Sequence, residues 1–123
     1  MATAGEHFAR ALAAKDDAAL RALLADPVDF QALTPRRHWQ AGTPDEVIGE
    51  VILGTWFGPG DDIEALESVT ISQLPGRARV GYALRVRNAD GAHLVEQQAY
   101  YSTDGGRISW MRILCSGYQK LPG

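Results

Sequence analysis

After Asp61-Asp62 the hydrophobic period of this chain changes from helical to two, and three tight-turn signals divide the rest of the chain: Pro75-Gly76, Asp90-Gly91 and Asp104-Gly105-Gly106. Four strands are predicted, about Ile63 to Leu74, Arg79 to Asn88, His93 to Ser102 and Arg107 to Gly117. Strands of this length joined by short turns make an antiparallel meander, and backbone twist curves it strongly. The second of them alternates Val80, Tyr82, Leu84 and Val86 with Arg79, Arg85 and Arg87, the pattern of a strand with one face in the core.

The first half of the chain supplies helices. Phe8, Ala11 and Leu12 recur at helical spacing between Ala4 and about Ala14. Asp16 or Asp17 can cap a second helix with Leu20, Leu23 and Leu24 as its stripe, ended by Pro27. Val28, Phe30, Ala32 and Leu33 then predict a short strand before Pro35. In Thr43-Pro44-Asp45-Glu46 a capping threonine, a proline at the first helical position and a glutamate three residues after the cap coincide, so a third helix starts there. Val47, Ile48, Val51, Ile52 and Thr55 are its expected core side, and Gly58-Pro59-Gly60 stops it.

No repeat, linker or low-complexity tract interrupts this order, so residues 1–123 read as one domain. With 46% hydrophobic residues, a chain of 123 can bury a core that needs neither metal nor disulfide staples. Cys115 stands alone and cannot form an internal disulfide, which predicts a reducing, cytoplasmic setting. MATAGEHFAR lacks the apolar stretch of an export signal, and Val51 to Phe57 is far short of the ~20 residues that cross a bilayer, so no membrane partner is expected. A net charge of -3 with scattered arginines lacks the footprint of a nucleic-acid binder. His7, His38 and His93 lie far apart, no Cys or His pair has ligand spacing, and Gly54 to Gly60 lacks the lysine of a phosphate loop. No metal and no cofactor are predicted. Asp61, Asp62, Glu64 and Glu67 read as a solvated acidic edge.

The order helix, helix, strand, helix and four strands resembles the nuclear-transport-factor-2-like superfamily, which includes SnoaL-like cyclases and ketosteroid isomerases. The resemblance covers nearly the whole chain. It is carried by that order, by Gly42 before the third helix, and by Glu96-Gln97-Gln98-Ala99-Tyr100-Tyr101 followed by Gly106-Arg107-Ile108 and Met111-Arg112. It implies an α+β fold, a cone-shaped, curved, mostly antiparallel sheet wrapped by three N-terminal helices, and a fold of this kind assigns no reaction by itself.

Set on the ketosteroid isomerase pattern, the resemblance places Gln98 where that enzyme has an acid that donates to the substrate oxygen. A glutamine amide can still donate there. The isomerase's general-base aspartate has no counterpart among Ala32, Leu33 and Thr34, and Asp29 matches only after a shift of register, so steroid isomerisation is disfavoured. If Gln98 faces the concave side, period-two geometry takes Leu94, Glu96 and Tyr100 with it. Tyr82 and, from the last strand, Ser109, Met111, Ile113 and Cys115 complete the wall. A slip of one residue exchanges Gln98 for Gln97 and Tyr100 for Tyr101.

The expected ligand is a small apolar, carbonyl-bearing molecule, with Gln98 and Tyr100 polarising its oxygen and Glu96 or His38 carrying a proton in an isomerase, cyclase or dehydratase. Tyr82, Trp39, Met111, Ile113 and Cys115 form the substrate-binding set, and His38 and Trp39 belong to a Pro35 to Gly42 loop expected to close over the cone. The alternative is a non-catalytic module of the same fold that binds a ligand or a protein. Trp110 and Arg112, with Val95 and Tyr101, are expected on the convex face, where they would form the interface of a homodimer.

Overall fold

The computed structural model describes residues 2–122. Helix α1 (Ala4–Ala13) starts on Thr3, whose hydroxyl accepts from the Glu6 amide, and α2 (Asp17–Ala22) starts on Asp16, whose carboxylate accepts from the Ala19 amide at 3.1 Å. Lys15, with φ 50°, makes the left-handed step between them. Helix α2 is shorter than its stripe suggested, because Leu24 opens a strand. That strand, β1 (Leu24–Thr34), is eleven residues long and carries Pro27 where its register against the neighbouring strand shifts.

The Pro35 to Gly42 segment is not a loop over the cone. Pro35 and Arg36 turn the chain, Arg36 at φ 67°, and β2 (Arg37–Ala41) runs back along β1 with His38 opposite Leu33 and Trp39 opposite Ala32. Thr43 then caps α3 (Asp45–Trp56). Its hydroxyl accepts from the Glu46 amide at 3.2 Å, and the Glu46 carboxylate accepts from the Gly42 amide at 3.0 Å.

Helix α3 is wound more widely than an α-helix. The Phe57 amide donates to the Ile52 carbonyl and the Thr55 hydroxyl to the Glu50 carbonyl, both five residues back, and a Cβ at Gly54 would lie 2.3 Å from the Gly49 carbonyl oxygen. The buried face follows this winding, for Val47 and Trp56 are both buried. At 3.6 residues per turn their nine-residue spacing makes roughly two and a half turns and would set them on opposite sides. Thr55, expected in the core, is therefore exposed, and Trp56 takes its place.

Strands β3 (Asp62–Leu74), β4 (Arg77–Asn88), β5 (Gly91–Asp104) and β6 (Arg107–Cys115) form the meander, and a short β7 (Gln119–Lys120) adds to β5. The sheet order is β2-β1-β6-β5-β4-β3, antiparallel throughout except for the parallel pair β1 and β6. This is the expected α+β cone. Its core lies between the helices and the inner face, where Phe8, Leu12, Leu20, Ile48 and Ile52 meet Val80, Leu84, Ala99, Met111 and Ile113. No helix among the described residues is long and apolar enough to cross a membrane.

Helix α1 is pinned to the sheet at its first turn. The Gly5 amide donates to the buried Tyr101 hydroxyl at 2.9 Å, and only glycine fits there, because a Cβ would stand 2.7 Å from the Tyr101 ring. Tyr101→Phe leaves that amide buried without an acceptor and should lower stability by about 1–2 kcal/mol. Urea unfolding of the two proteins measures this; equal midpoints and slopes would mean that the bond holds nothing.

Candidate functional site

Directly opposite residues of an antiparallel pair point to the same face, so the register of the sheet decides what enters the cone. Asn88 pairs with Gly91 across a two-residue turn, which sets Tyr82 against Gln97, and β6 sets Cys115 against Gln97 in turn. Tyr82, Gln97 and Cys115 thus form one row across the inner face.

Three segments close around this row. Thr34 and Pro35 arrive from the end of β1, and Thr55, Trp56 and Phe57 from the end of α3. The third is the stretch Ser116 to Tyr118, an extra-residue bulge between β6 and β7: the Ser116 amide donates to the Glu96 carbonyl, while Gln119 already pairs with Leu94. Gly117, at φ 75°, lies against Pro35 so closely that a Cβ would be 2.6 Å from the proline ring. The Tyr118 hydroxyl donates to the Trp56 carbonyl at 2.6 Å and joins the bulge to α3. The cavity has a volume of 310 Å³, and among the described residues no carboxylate lines it.

Its polar groups are few and fixed. The Tyr82 hydroxyl donates to Gln97 Oε1 at 2.6 Å, so the amide oxygen is engaged and Nε2 is left as the free donor. Gln97 is 1% exposed, and Nε2 has no partner among the described residues; neither has Nε1 of Trp56, 7% exposed in the same wall. Burial pushes the Tyr82 hydroxyl far above the ordinary tyrosine range, with Cys115 acting in the same direction, so Tyr82 stays a donor. Burial also pushes Tyr118 up, with Asp61 and Cys115 adding to it. Cys115 Sγ accepts from the Gly117 amide at 3.3 Å. His93, another inner-face residue, lies outside the cavity lining, with its ring edge-on to Tyr118 at 5.4 Å.

The structure corrects the expected set by one residue. Gln98, Tyr100 and Glu96 lie on the outer face, where Gln98 Oε1 accepts from Arg79 at 2.6 Å and rests over Gly81, a position whose Cβ would collide with the amide at 2.7 Å. Glu96 is exposed, and Tyr100 is 41% exposed. The reason is arithmetical: with Tyr82 inward, a two-residue turn gives it an odd-numbered partner, and an inward Gln98 would require a different turn. His38 is also outside, its Nε2 3.0 Å from Gln31 Oε1, because the segment that carries it is a strand on the far edge of the sheet.

Tyr82, Met111, Ile113 and Cys115 do face inward, and of these Cys115 lines the cavity. Trp39 stands behind it. Its Nε1 donates to Thr34 at 2.7 Å and its ring meets Trp56 edge-on at 5.9 Å, so it holds Trp56 in place without reaching the cavity. Sequence reasoning missed Trp56 and Tyr118, and it held Gln97 only as the outcome of a one-residue slip. Gln97 was accessible from turn parity; Trp56 was not, because nothing in the sequence marks the wide winding.

The outer face also differs from expectation. Trp110 and Arg112 are there, with Arg77 and Arg112 placed 3.6 and 4.5 Å from the Trp110 ring, but Val95 and Tyr101 are buried on the inner side. A groove of 440 Å³ crosses this face between Gln31, Leu33, His38, Gln98, Tyr100 and Leu114.

No family model and no curated protein matches the sequence. Solved structures do match over nearly the whole chain. A nuclear-transport-factor-2-like protein from Anabaena variabilis is 16% identical, with 95% of this chain and 88% of that one covered and a TM-score of 0.65. A candidate isomerase from Rhodopseudomonas palustris is 14% identical over 95% and 92% of the two chains, TM-score 0.70. An LEH-like epoxide hydrolase from M. tuberculosis is 15% identical over 92% and 80%, TM-score 0.63. At these identities the likeness establishes the fold: the chain has the nuclear-transport-factor-2-like cone.

Because Tyr82 and Tyr118 are both raised, the unfolded state loses their protons first. Their contribution to stability is complete below the unfolded value near about pH 10 and falls as pH rises past it. In an absorbance titration the phenolates of Tyr82 and Tyr118 should therefore appear only together with unfolding, and Tyr82→Phe should remove one phenolate from that late phase. A Tyr82 phenolate formed in the folded protein would place its hydroxyl in contact with solvent.

Proposed function

We propose that this cone-fold domain is a cofactor-independent pocket protein that binds a small apolar metabolite by its carbonyl oxygen. The observation that carries the reading is the Gln97 amide, which Tyr82 holds by its oxygen so that Nε2 is left buried and unpaired in a residue of the cavity wall. A buried donor left without an acceptor costs about 1–3 kcal/mol, which a ligand oxygen recovers. Trp56 Nε1 is a second buried, unpaired donor in the same wall, and two N–H groups without acceptors complement a carbonyl. A volume of 310 Å³ lies at the low end for small-molecule sites and limits the ligand to about one ring.

Two donors on a carbonyl oxygen stabilise negative charge there and so polarise the bond, which is the first requirement of enolate chemistry. The second requirement is a positioned base. The lining has no carboxylate, and Glu96 and His38, the expected proton carriers, lie on the other face of the sheet. Binding with polarisation is therefore favoured over isomerase, cyclase or dehydratase turnover. A lone thiol in a cavity wall also suits a reducing, cytoplasmic setting.

The test compares cyclohexanone with methylcyclohexane, read by the fluorescence of the wall tryptophan and by the infrared carbonyl stretch. The ketone should bind at least about tenfold more tightly, its stretch should move to lower frequency, and Gln97→Leu should abolish both differences. Equal affinity for ketone and hydrocarbon in the unaltered protein would sink the assignment of Gln97, and accelerated exchange of the ketone's α-protons into deuterated water would restore the catalytic reading.

A second reading concerns the outer groove. Leu33, Tyr100 and Leu114 are exposed there in one strip, a kind of surface monomers seldom leave bare, and its rim carries both signs of charge in the Arg112 and Asp29 pair at 3.0 Å. A face with both signs can complement itself about a two-fold axis, so the occupant we propose is a second copy of this chain. Size exclusion with light scattering should give twice the chain mass at micromolar concentration, and Leu114→Arg should halve it. A monomer mass before substitution removes the reading.

A further inference from the structure

We propose that Cys115 makes the cavity a covalent trap for small α,β-unsaturated aldehydes and ketones. The inference rests on the carbonyl-binding reading above and adds a chemical class that neither the fold nor its neighbours supply. Cys115 and Gln97 are directly opposite across β6 and β5, and both line the 310 Å³ cavity. Opposed residues of an antiparallel pair carry their Cβ atoms about 4.5–5.5 Å apart. A ligand whose oxygen sits on Gln97 Nε2 thus has its next few carbons within reach of the sulfur. In an enone the carbon that a thiol attacks is two bonds beyond the carbonyl carbon.

The unpaired donors supply the activation. As sulfur attacks, the π electrons of the carbon-carbon double bond shift toward the carbonyl oxygen, and the growing negative charge is taken up by Gln97 Nε2, the donor that the Tyr82 bond leaves unpaired. The Gly117 amide, bonded to Sγ at 3.3 Å, holds the thiol beside another residue of the cavity lining. The balance closes without a co-reactant: the thiol gives up its proton, a carbon-sulfur bond forms at the β-carbon, and the enolate carbon takes a proton from solvent. The net change is addition of S–H across the double bond, with no redox step and no leaving group.

The probe is 2-cyclohexen-1-one, with cyclohexanone as its unreactive twin and methyl methanethiosulfonate, which has no carbonyl, as a measure of thiol access. Intact mass should show one probe added, mapped to Cys115 by peptide sequencing. The rate should saturate with probe concentration and fall in the presence of cyclohexanone. Gln97→Leu should slow addition at least about tenfold while leaving modification by the thiosulfonate within about twofold. Cys115→Ser should lose the adduct. If cyclohexanone binds but enone addition is linear in concentration and no faster than with N-acetylcysteine, the trap is wrong and the pocket reading survives. If cyclohexanone does not bind and does not compete, both are overturned.

Discussion

The register between β4 and β5 is the constraint on which the other features of the site depend. A two-residue turn after Asn88 fixes which residues stand opposite, and opposed residues share a face. Val95, Gln97, Ala99 and Tyr101 go inward together as a result, and Glu96, Gln98 and Tyr100 go outward together. One local backbone choice thereby decides that the cavity carries an amide and no carboxylate. It also sets the amide beside Tyr82, whose hydroxyl keeps its proton at that depth and donates it to the oxygen end of Gln97.

The walls come from elements far apart in the chain, and each is held by an interaction of its own. The bulge at Ser116 to Tyr118 is tied to α3 by the Tyr118 hydroxyl and presses on the β1 turn through Gly117. Trp56 is steadied from behind by Trp39, which is itself held by Thr34 and covered by the Arg37 guanidinium 3.5 Å from its ring. Aromatic edges of this kind give position more than energy, about 0.5–1.5 kcal/mol per pair beyond the area buried. The polar atoms of the cavity thus sit on a rigid frame, the condition under which a single hydrogen bond discriminates between ligands.

Much of the fold was legible in the residues because the signals were local. The capping box at Thr43 to Glu46, the alternation of β4 and the three turns each depend on a few neighbouring side chains, and each appears where it was read. The β2 strand was hidden because its pattern, Arg37 to Ala41, has a single large apolar residue, and its stability comes from pairing with β1. The site was legible in kind and displaced in detail. A glutamine and a tyrosine were expected on the inner face and Gln97 and Tyr82 are found there, but adjacent glutamines at 97 and 98 and adjacent tyrosines at 100 and 101 make the two faces of β5 nearly alike in sequence. Turn parity breaks that tie. The charge on Glu96 points the same way, since its face is the solvated one.

The wide winding of α3 gives the cavity a property that the sheet lacks. In the sheet, changing which side chain faces inward means shifting a whole strand and turning its apolar set out to solvent. In α3, Trp56 reaches the wall only because the helix holds more residues per turn than usual, and Gly54, which leaves room for the Gly49 carbonyl, permits that spacing. Loss of one residue would let the helix tighten and would bring a different side chain to the same place, with the sheet undisturbed. The chemistry of this pocket is thus open to change by insertion and deletion as well as by substitution, and related chains of unequal helix length would be the place to look for altered ligand preference.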